Sequence, residues 1–443
     1  MAQSIVSYVD GILDNAEIGP IHRRVLALIS FAYFFDVIDF TITGALIPNI
    51  LASKFFTDAT PIPSAALFGL FVGTLGQGEF TDRFGRKRIL QLGILLYSVA
   101  TIAAALAPTP TLFLAGRFIA GIGLGATQPL CFSYAAEFAP KRNRGRTTAF
   151  MQFIGGACVW PIGTLFALYF LPIIDWYGIW IAIGIGGLIV VLFTFGLPES
   201  PRWLVTHGQG EQALDLLEKM GLRSPGAKVD LVKDETADIR SDPMGVVFRQ
   251  YRKRIIASMI CFIAFFTAAL GLGAWLPNLL ATRGYGIPKA LTVVLGMQLA
   301  FPLSSLFMMY ALESFGRVRT SATAFVLATV FAIAFYYSSS VTMVVIIGFL
   351  VTFFSQLAGN SMQIFTSEVF PTNARASGFG IAQAGGRFGS AISVFVIGFL
   401  ASFGLGYVMT GIAVLLLIAA VAVTQISRET KGLSLDTIAP PTA

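Results

Sequence analysis

The sequence predicts an all-α membrane protein of twelve transmembrane helices, arranged as two pseudo-symmetric six-helix bundles. Three observations carry this. The 443 residues are 56% hydrophobic and only 12% charged, with a mean hydropathy of +0.77, too poor in charge for a soluble domain of this size. About a dozen stretches reach the roughly 20 apolar residues that a bilayer crossing requires. One charged signature also occurs twice in register. Asp82, Gly85, Arg86, Arg88, Glu137, Pro140 and Arg144 return 231 positions later as Glu313, Gly316, Arg317, Arg319, Glu368, Pro371 and Arg375. A gapless repeat of that kind marks a duplicated membrane unit, in which one half can move against the other around a site between them.

The elements follow in order. Ile5, Val9, Ile12 and Leu13 lie at helical spacing among Asp10, Asp14 and Glu17. They predict a short amphipathic helix on the cytoplasmic membrane surface, with no cleavable signal peptide ahead of the first span. The first six spans read 24–51, 62–80, 88–108, 110–136, 146–170 and 176–197. The polar interval 199–253 separates the halves. Within it, Ala213, Leu214, Leu216, Leu217 and Met220 give one short amphipathic helix, too small and too charged a stretch to be a catalytic domain. Six further spans read 255–281, 287–312, 320–338, 340–366, 374–402 and 404–426. The units are therefore 1–198, 199–253 and 254–443.

The net charge of +7 is topological. About 25 of the 30 Lys and Arg fall on one side of the spans, the positive-inside pattern that places both termini in the cytoplasm. Lys54, Arg283 and Lys289 occupy the other side. Basicity of this kind implies a lipid bilayer and no nucleic acid. Cys131, Cys158 and Cys261 all fall within spans and read as small buried residues, with no disulfide framework and no metal site. No phosphate loop, metal-ligand cluster or nucleophile with a base is present, so neither an enzyme nor a cofactor is expected.

Charges at the span ends form the candidate gates. Asp82, Arg83 and Arg86 end span two, Glu137 and Arg146 flank the loop after span four, and Glu199 and Arg202 follow span six. The second half supplies Glu313, Arg317, Glu368 and Arg375. Topology needs the positive charges but not the repeated acids. Charge-assisted pairs between them can latch one face, and a network is required because each exposed pair is weak.

Four charges inside the spans break the repeat. Asp36, Asp39, Arg117 and Arg387 correspond to Thr267, Leu270, Gly348 and Gly156. A lone ionised group at mid-bilayer costs at least about 2.5–3.5 kcal/mol, so such residues read as functional. Asp36 lies about 18 Å into span one and Arg387 about 20 Å into span eleven, at about 1.5 Å per residue. Asp36, Asp39 and Phe40 share a helix face by their i, i+3, i+4 spacing. Arg117, on span four, can reach Asp39, and the two form the expected proton-sensitive pair, with Asp36 sharing that role or touching substrate. Arg387 is left with no partner in the other half and suits a carboxylate bidentately. Gln128, Trp160, Phe266, Gln356, Asn360 and Gln383 complete the candidate binding set. Gln152, Gln298, Gln363, Phe265 and Trp275 are weaker polar or aromatic candidates.

Several motifs resemble the major facilitator superfamily along the whole chain. GEFTDRFGRKR (Gly78 to Arg88) is similar to its GxxxDRxGRK loop, and GRFIAGIGLG (Gly116 to Gly125) to its Arg-bearing fourth span. EFAPKRNRGR, PESPRWL (Pro198 to Leu204) and EVFPTNARASG resemble markers shared by sugar porters and metabolite:proton symporters. FFDVIDFTITG (Phe34 to Gly44) and GGRFGS (Gly385 to Ser390) resemble aromatic-acid:proton symporters and nicotinate transporters, with Val37 where that group carries glycine. The resemblance implies a monomeric, proton-coupled symporter importing a small organic anion, of hydroxybenzoate or nicotinate type, by alternating access. Three other readings stay open: a sugar or polyol porter, which spans seven and ten do not favour, a drug exporter, and a sensor that binds without transporting.

Overall fold

In a computed structural model, residues 3–140, 144–223, 231–232, 244–271, 276–277, 280, 284, 286–338, 340–370 and 375–426 are described. Apart from a two-residue backbone pairing of Gln3–Ser4 with Leu231–Val232, the described chain is helical. Span one is Pro20–Ala52, span two Pro61–Phe84, span three Arg86–Ala105 and span four Pro110–Phe138. Proline opens spans one, two and four, where its missing N–H costs no hydrogen bond.

Spans five and six form one hairpin. The fifth starts as Arg144–Met151, tightens into a π-helical turn at Gln152–Ala157 and resumes at Val159. Asp175 (φ 59°) breaks the helix, and its carboxylate accepts from the Trp176 N–H at 2.8 Å. Gly155 packs on Ser30 and Gly163 on Thr41, whereas Gly186 packs on Phe35 and Gly196 on Arg24. The chain therefore climbs beside span one and returns after Asp175, as the split into 146–170 and 176–197 anticipates.

In the second half, Met244–Phe266 is broken at Tyr251 (φ −111°, ψ 22°), and span seven is the part beyond that break, with a π turn at Thr267–Gly271. Span eight runs as Ile287–Gln298 and Ala300–Phe315, span nine as Arg317–Tyr336 and span ten as Val341–Val369. Arg375–Ala401 and Leu405–Thr424 are spans eleven and twelve. Nine stretches among the described residues are long and apolar enough to cross a membrane. One of them, Ala149–Thr194, is the hairpin and contains two crossings. Spans two and seven, whose ends carry charge, complete the twelve.

The helices pack in two groups. Span four lies against spans two and three, span one against five, and three against six. Span nine lies against ten and twelve, and seven against eleven and twelve. Contact between the groups runs through span two on span eleven and span five on span eight. Spans two and four touch backbone to backbone. A Cβ at Gly69 or Gly121 would stand 2.0 Å from Phe118 O or 2.2 Å from Ala66 O, the close approach that small residues allow in membranes. The repeat is also conformational. Gly85 (φ 96°, ψ 154°) and Gly316 (φ 90°, ψ 176°) join consecutive spans at equivalent positions, in a region open essentially to glycine.

The helix Ile5–Asn15 has a protein partner. Its Val9 and Leu13 are buried, and it packs on helices Pro201–Thr206 and Gly210–Lys219. The apolar stripe has found a protein partner, and an ion pair of Asp14 with Arg202 at 2.8 Å fixes it there.

Candidate functional site

The site is built where the four symmetry-breaking charges lie. Asp39 and Arg117 meet inside the first half. The guanidinium donates to both carboxylate oxygens, Nη1 to Oδ1 at 2.9 Å and Nη2 to Oδ2 at 2.8 Å, and both side chains are wholly buried. Nη2 also donates to Thr43 Oγ1 at 3.1 Å. The Trp180 ring lies 5.0 Å from the guanidinium carbon, a cation–π contact.

Asp36, one turn earlier, is equally buried. No hydrogen bond reaches either of its carboxylate oxygens among the described residues. Thr127 of span four lies close by, but its hydroxyl donates to the carbonyls of Gly123 (3.2 Å) and Leu124 (3.1 Å).

Arg387 crosses between the halves, which corrects the expectation that it has no partner there. It is 6% exposed. From span eleven it donates to Thr74 Oγ1 on span two and to Gln128 Oε1 on span four, the latter at 3.1 Å. The Phe266 ring lies 5.8 Å away. The planar fork is long enough to reach two acceptors on different helices, and both are neutral. The Tyr33 hydroxyl, which senses both Arg387 and Asp36, donates to Gln152 Oε1 at 3.1 Å.

The remaining candidates divide. Trp160 stacks on Phe301 at 4.3 Å, and both line a cavity with Gln298, Thr352, Ser355 and Gln356. That cavity belongs mainly to the second half and does not include Arg387, Asp36, Phe40, Gln128, Phe266, Asn360 or Gln383. A buried charge is the stronger marker of a site, and the cavity holds none. Asn360 donates to Ser305 Oγ at 3.4 Å, while Phe40 and Gln383 are half-buried. Gln298 Oε1 accepts from Thr164 Oγ1 at 2.6 Å across the halves. Trp275 lies outside the described residues. Thr74, Tyr33, Thr43 and Trp180 were not singled out from sequence, because Thr, Tyr and Trp in a span carry no signal until a charge is seen beside them.

The charged span ends gather within the first half. Arg86 pairs with Asp82 at 3.2 Å and with Glu137 at 3.0 Å. Glu199 accepts from the backbone N–H groups of Arg86 (2.9 Å) and Lys87 (3.2 Å), so its carboxylate caps the positive end of span three. Trp203 Nε1 donates to Asp82 O at 2.8 Å. Arg83 lies over Phe84, and Arg202 serves the N-terminal helix. Arg317 donates to Leu312 O at 3.4 Å. The side chains of Arg146, Glu313, Glu368 and Arg375 lie outside the described residues.

Comparison with known proteins gives a consistent picture. A family model described as "Sugar (and other) transporter" matches residues 31–440. The chain is 27% identical over 435 residues to the niacin transporter NiaP of Acinetobacter baylyi, covering 96% of this chain and 98% of that protein. It is 28% identical over 386 residues to the 4-hydroxybenzoate transporter PcaK of the same organism, covering 85% and 84%. Among solved structures, the xylose transporter XylE from E. coli superposes with a TM-score of 0.75 at 18% identity, over 94% of this chain and 100% of that one. At that identity the likeness is one of fold.

Proposed function

The chain belongs to the sugar (and other) transporter family of the major facilitator superfamily, and we propose that within it the protein is a proton-coupled symporter of a small aromatic or heteroaromatic monocarboxylate. One observation carries the reading. Arg387 is a buried cation between the halves whose hydrogen-bond partners, Thr74 and Gln128, are both neutral. A charge in that setting calls for an opposite charge. A substrate carboxylate supplies it bidentately, and Phe266 offers the ring of that substrate an aromatic neighbour. Niacin and 4-hydroxybenzoate, for which NiaP and PcaK are named as transporters, are acids of this description.

Binding, orientation and gating follow from the same residues. Arg387, with Gln128 and Phe266, receives the anion, while Trp160 and Gln356 line the cavity of the second half and Phe40, Asn360 and Gln383 complete the proposed binding set. Asp36, Asp39 and Arg117 couple a proton to its movement. The gate set of Asp82, Arg83, Arg86, Glu137, Arg146, Glu199, Arg202, Glu313, Arg317, Glu368 and Arg375 faces the cytoplasm. In this reading both termini lie inside, and the protein works as a monomer in the cytoplasmic membrane. The bundles 1–198 and 254–443 rock against each other, with 199–253 as their tether.

The test is competition against labelled nicotinate and 4-hydroxybenzoate. The acid should bind at least about tenfold more tightly than its amide or methyl ester, since a hydrogen bond to a charged group is worth about 1.5–3 kcal/mol. Arg387→Lys should lose most of that preference. Equal binding of acid, amide and ester would remove the carboxylate clamp and return the sugar and drug readings.

A further inference from the structure

The two acids of span one stand in opposite electrostatic situations only one helical turn apart. Asp39 is a bidentate partner of Arg117. Protonating it would leave Arg117 as an uncompensated cation in a wholly buried place, the costly way to break such a pair. Asp36 is just as buried, yet neither oxygen has a hydrogen-bond partner among the described residues and no cation pairs with it. A carboxyl group so placed bears the full cost of burial whenever it is ionised without a partner. Resting on the proposed symport, we infer that Asp36 is the group that carries the proton, while Asp39 stays ionised with Arg117, and that one proton moves with one carboxylate without net charge.

The surroundings of Asp36 support this accounting. Asp39 and Tyr33 face it from its own helix, Thr127 and Cys131 from span four, Tyr97 from span three, and Arg387 from span eleven through Tyr33, while Arg117 is held by Asp39. Asp39 and Arg117 cancel one another. Arg387 is then the one uncancelled charge among these groups when Asp36 holds its proton. A bound carboxylate balances it, so the loaded site of acid, anion and Arg387 is neutral. After the substrate leaves, loss of the Asp36 proton to water restores neutrality with Asp36 ionised against Arg387. Both neutral states can reorient through a dry interior, whereas a site holding the anion without the proton, or the proton without the anion, carries a charge that burial penalises. No bond other than O–H is made or broken. The proton passes from water on one side to an Asp36 oxygen and on to water on the other. Tyr97, whose buried hydroxyl has no partner among the described residues and which feels both acids, stands where a shared hydrogen bond would let Asp36 sense Asp39.

The experiment uses purified protein in liposomes with labelled nicotinate and 4-hydroxybenzoate. Wild type should concentrate the acid under an inside-alkaline pH gradient. A potassium–valinomycin potential alone should drive none, because the loaded carrier is neutral. Asp36→Asn, which mimics the protonated acid in shape and charge, should lose all pH-driven accumulation. An Asp36→Asn protein that still accumulates substrate, or uptake driven by potential, overturns the inference. Wild type that accumulates neither acid overturns the symport reading itself. Infrared spectroscopy gives a readout independent of transport. With saturating nicotinate bound, a protonated carboxyl band at neutral pH should be present in wild type and Asp39→Asn and absent from Asp36→Asn. Its absence in wild type, or its survival in Asp36→Asn, counts against Asp36.

Discussion

At the residue scale, the stability of span one should depend on its acids unequally. Asp39→Asn strands Arg117 in the buried first half, and breaking a buried pair from one side costs about 3–5 kcal/mol. Asp36→Asn removes no ion pair and should leave thermal unfolding in detergent near that of wild type. A comparable loss from both substitutions would mean that Asp36 is paired in the folded protein. Replacing both partners, as in Asp39→Asn with Arg117→Gln, should recover part of the loss, since no bare charge remains. These four charges were legible in the sequence because a charge within an apolar run is conspicuous, and because the internal repeat supplies neutral residues for comparison. Their pairing was legible only for Asp39 with Arg117. The reach of Arg387 to Thr74 and Gln128 depends on which helices adjoin span eleven, which no spacing within one helix encodes.

At the element scale, the turn between spans two and three joins the first half's gate to its backbone. Gly85 adopts φ 96°, and a Cβ there would stand 2.5 Å from Glu199 Oε2. Gly85→Ala therefore meets a backbone penalty of about 1–3 kcal/mol and also displaces the carboxylate that caps span three. Glu199→Gln keeps the backbone and weakens only the cap, worth about 0.3–1 kcal/mol. Thermal unfolding should order them with Gly85→Ala the more damaging, and a reversed order would make Glu199, not the turn, the main anchor. Span boundaries were legible to within a few residues because hydropathy falls where water begins. The reversal at Asp175 was legible as the gap between two apolar runs. The π turns at Gln152–Ala157 and Thr267–Gly271 had no such signal, since they shift the hydrogen-bond register without changing composition. The docking of Ile5–Asn15 on the linker helices was hidden for a related reason, because an amphipathic stripe fits a protein groove as readily as a membrane surface.

At the scale of the whole molecule, the two halves meet mainly on the side away from the charged gates. Phe388 of span eleven lies 5.0 Å from Phe71 and 6.2 Å from Phe68 of span two, and Phe395 lies 6.4 Å from Phe68. Ala45, Ala167 and Leu291 cluster on the same side. Among the described residues, the ring contacts of span two with span eleven lie at the level of Arg387 or beyond it, so these rings cover the far side. Under the proposed orientation that side is external. Each ring pair contributes about 0.5–1.5 kcal/mol beyond burial. Losing the two pairs made by Phe388 should then shift the opening equilibrium about tenfold, at about 1.4 kcal/mol per decade. A reporter cysteine at Leu291, 2% exposed in this state, can read that shift once Cys131, Cys158 and Cys261 are replaced by serine. A membrane-impermeant maleimide added outside should label it slowly in the parent and about tenfold faster with Phe388→Ala, by the same arithmetic. Phe80→Ala is the control, because Phe80 is 55% exposed and stacks on Phe84 of its own helix. An unchanged rate with Phe388→Ala would show that these rings do not hold the outer side shut. A rate raised equally by Phe80→Ala would show that the seal responds to span two as a whole and not to the contact between the halves.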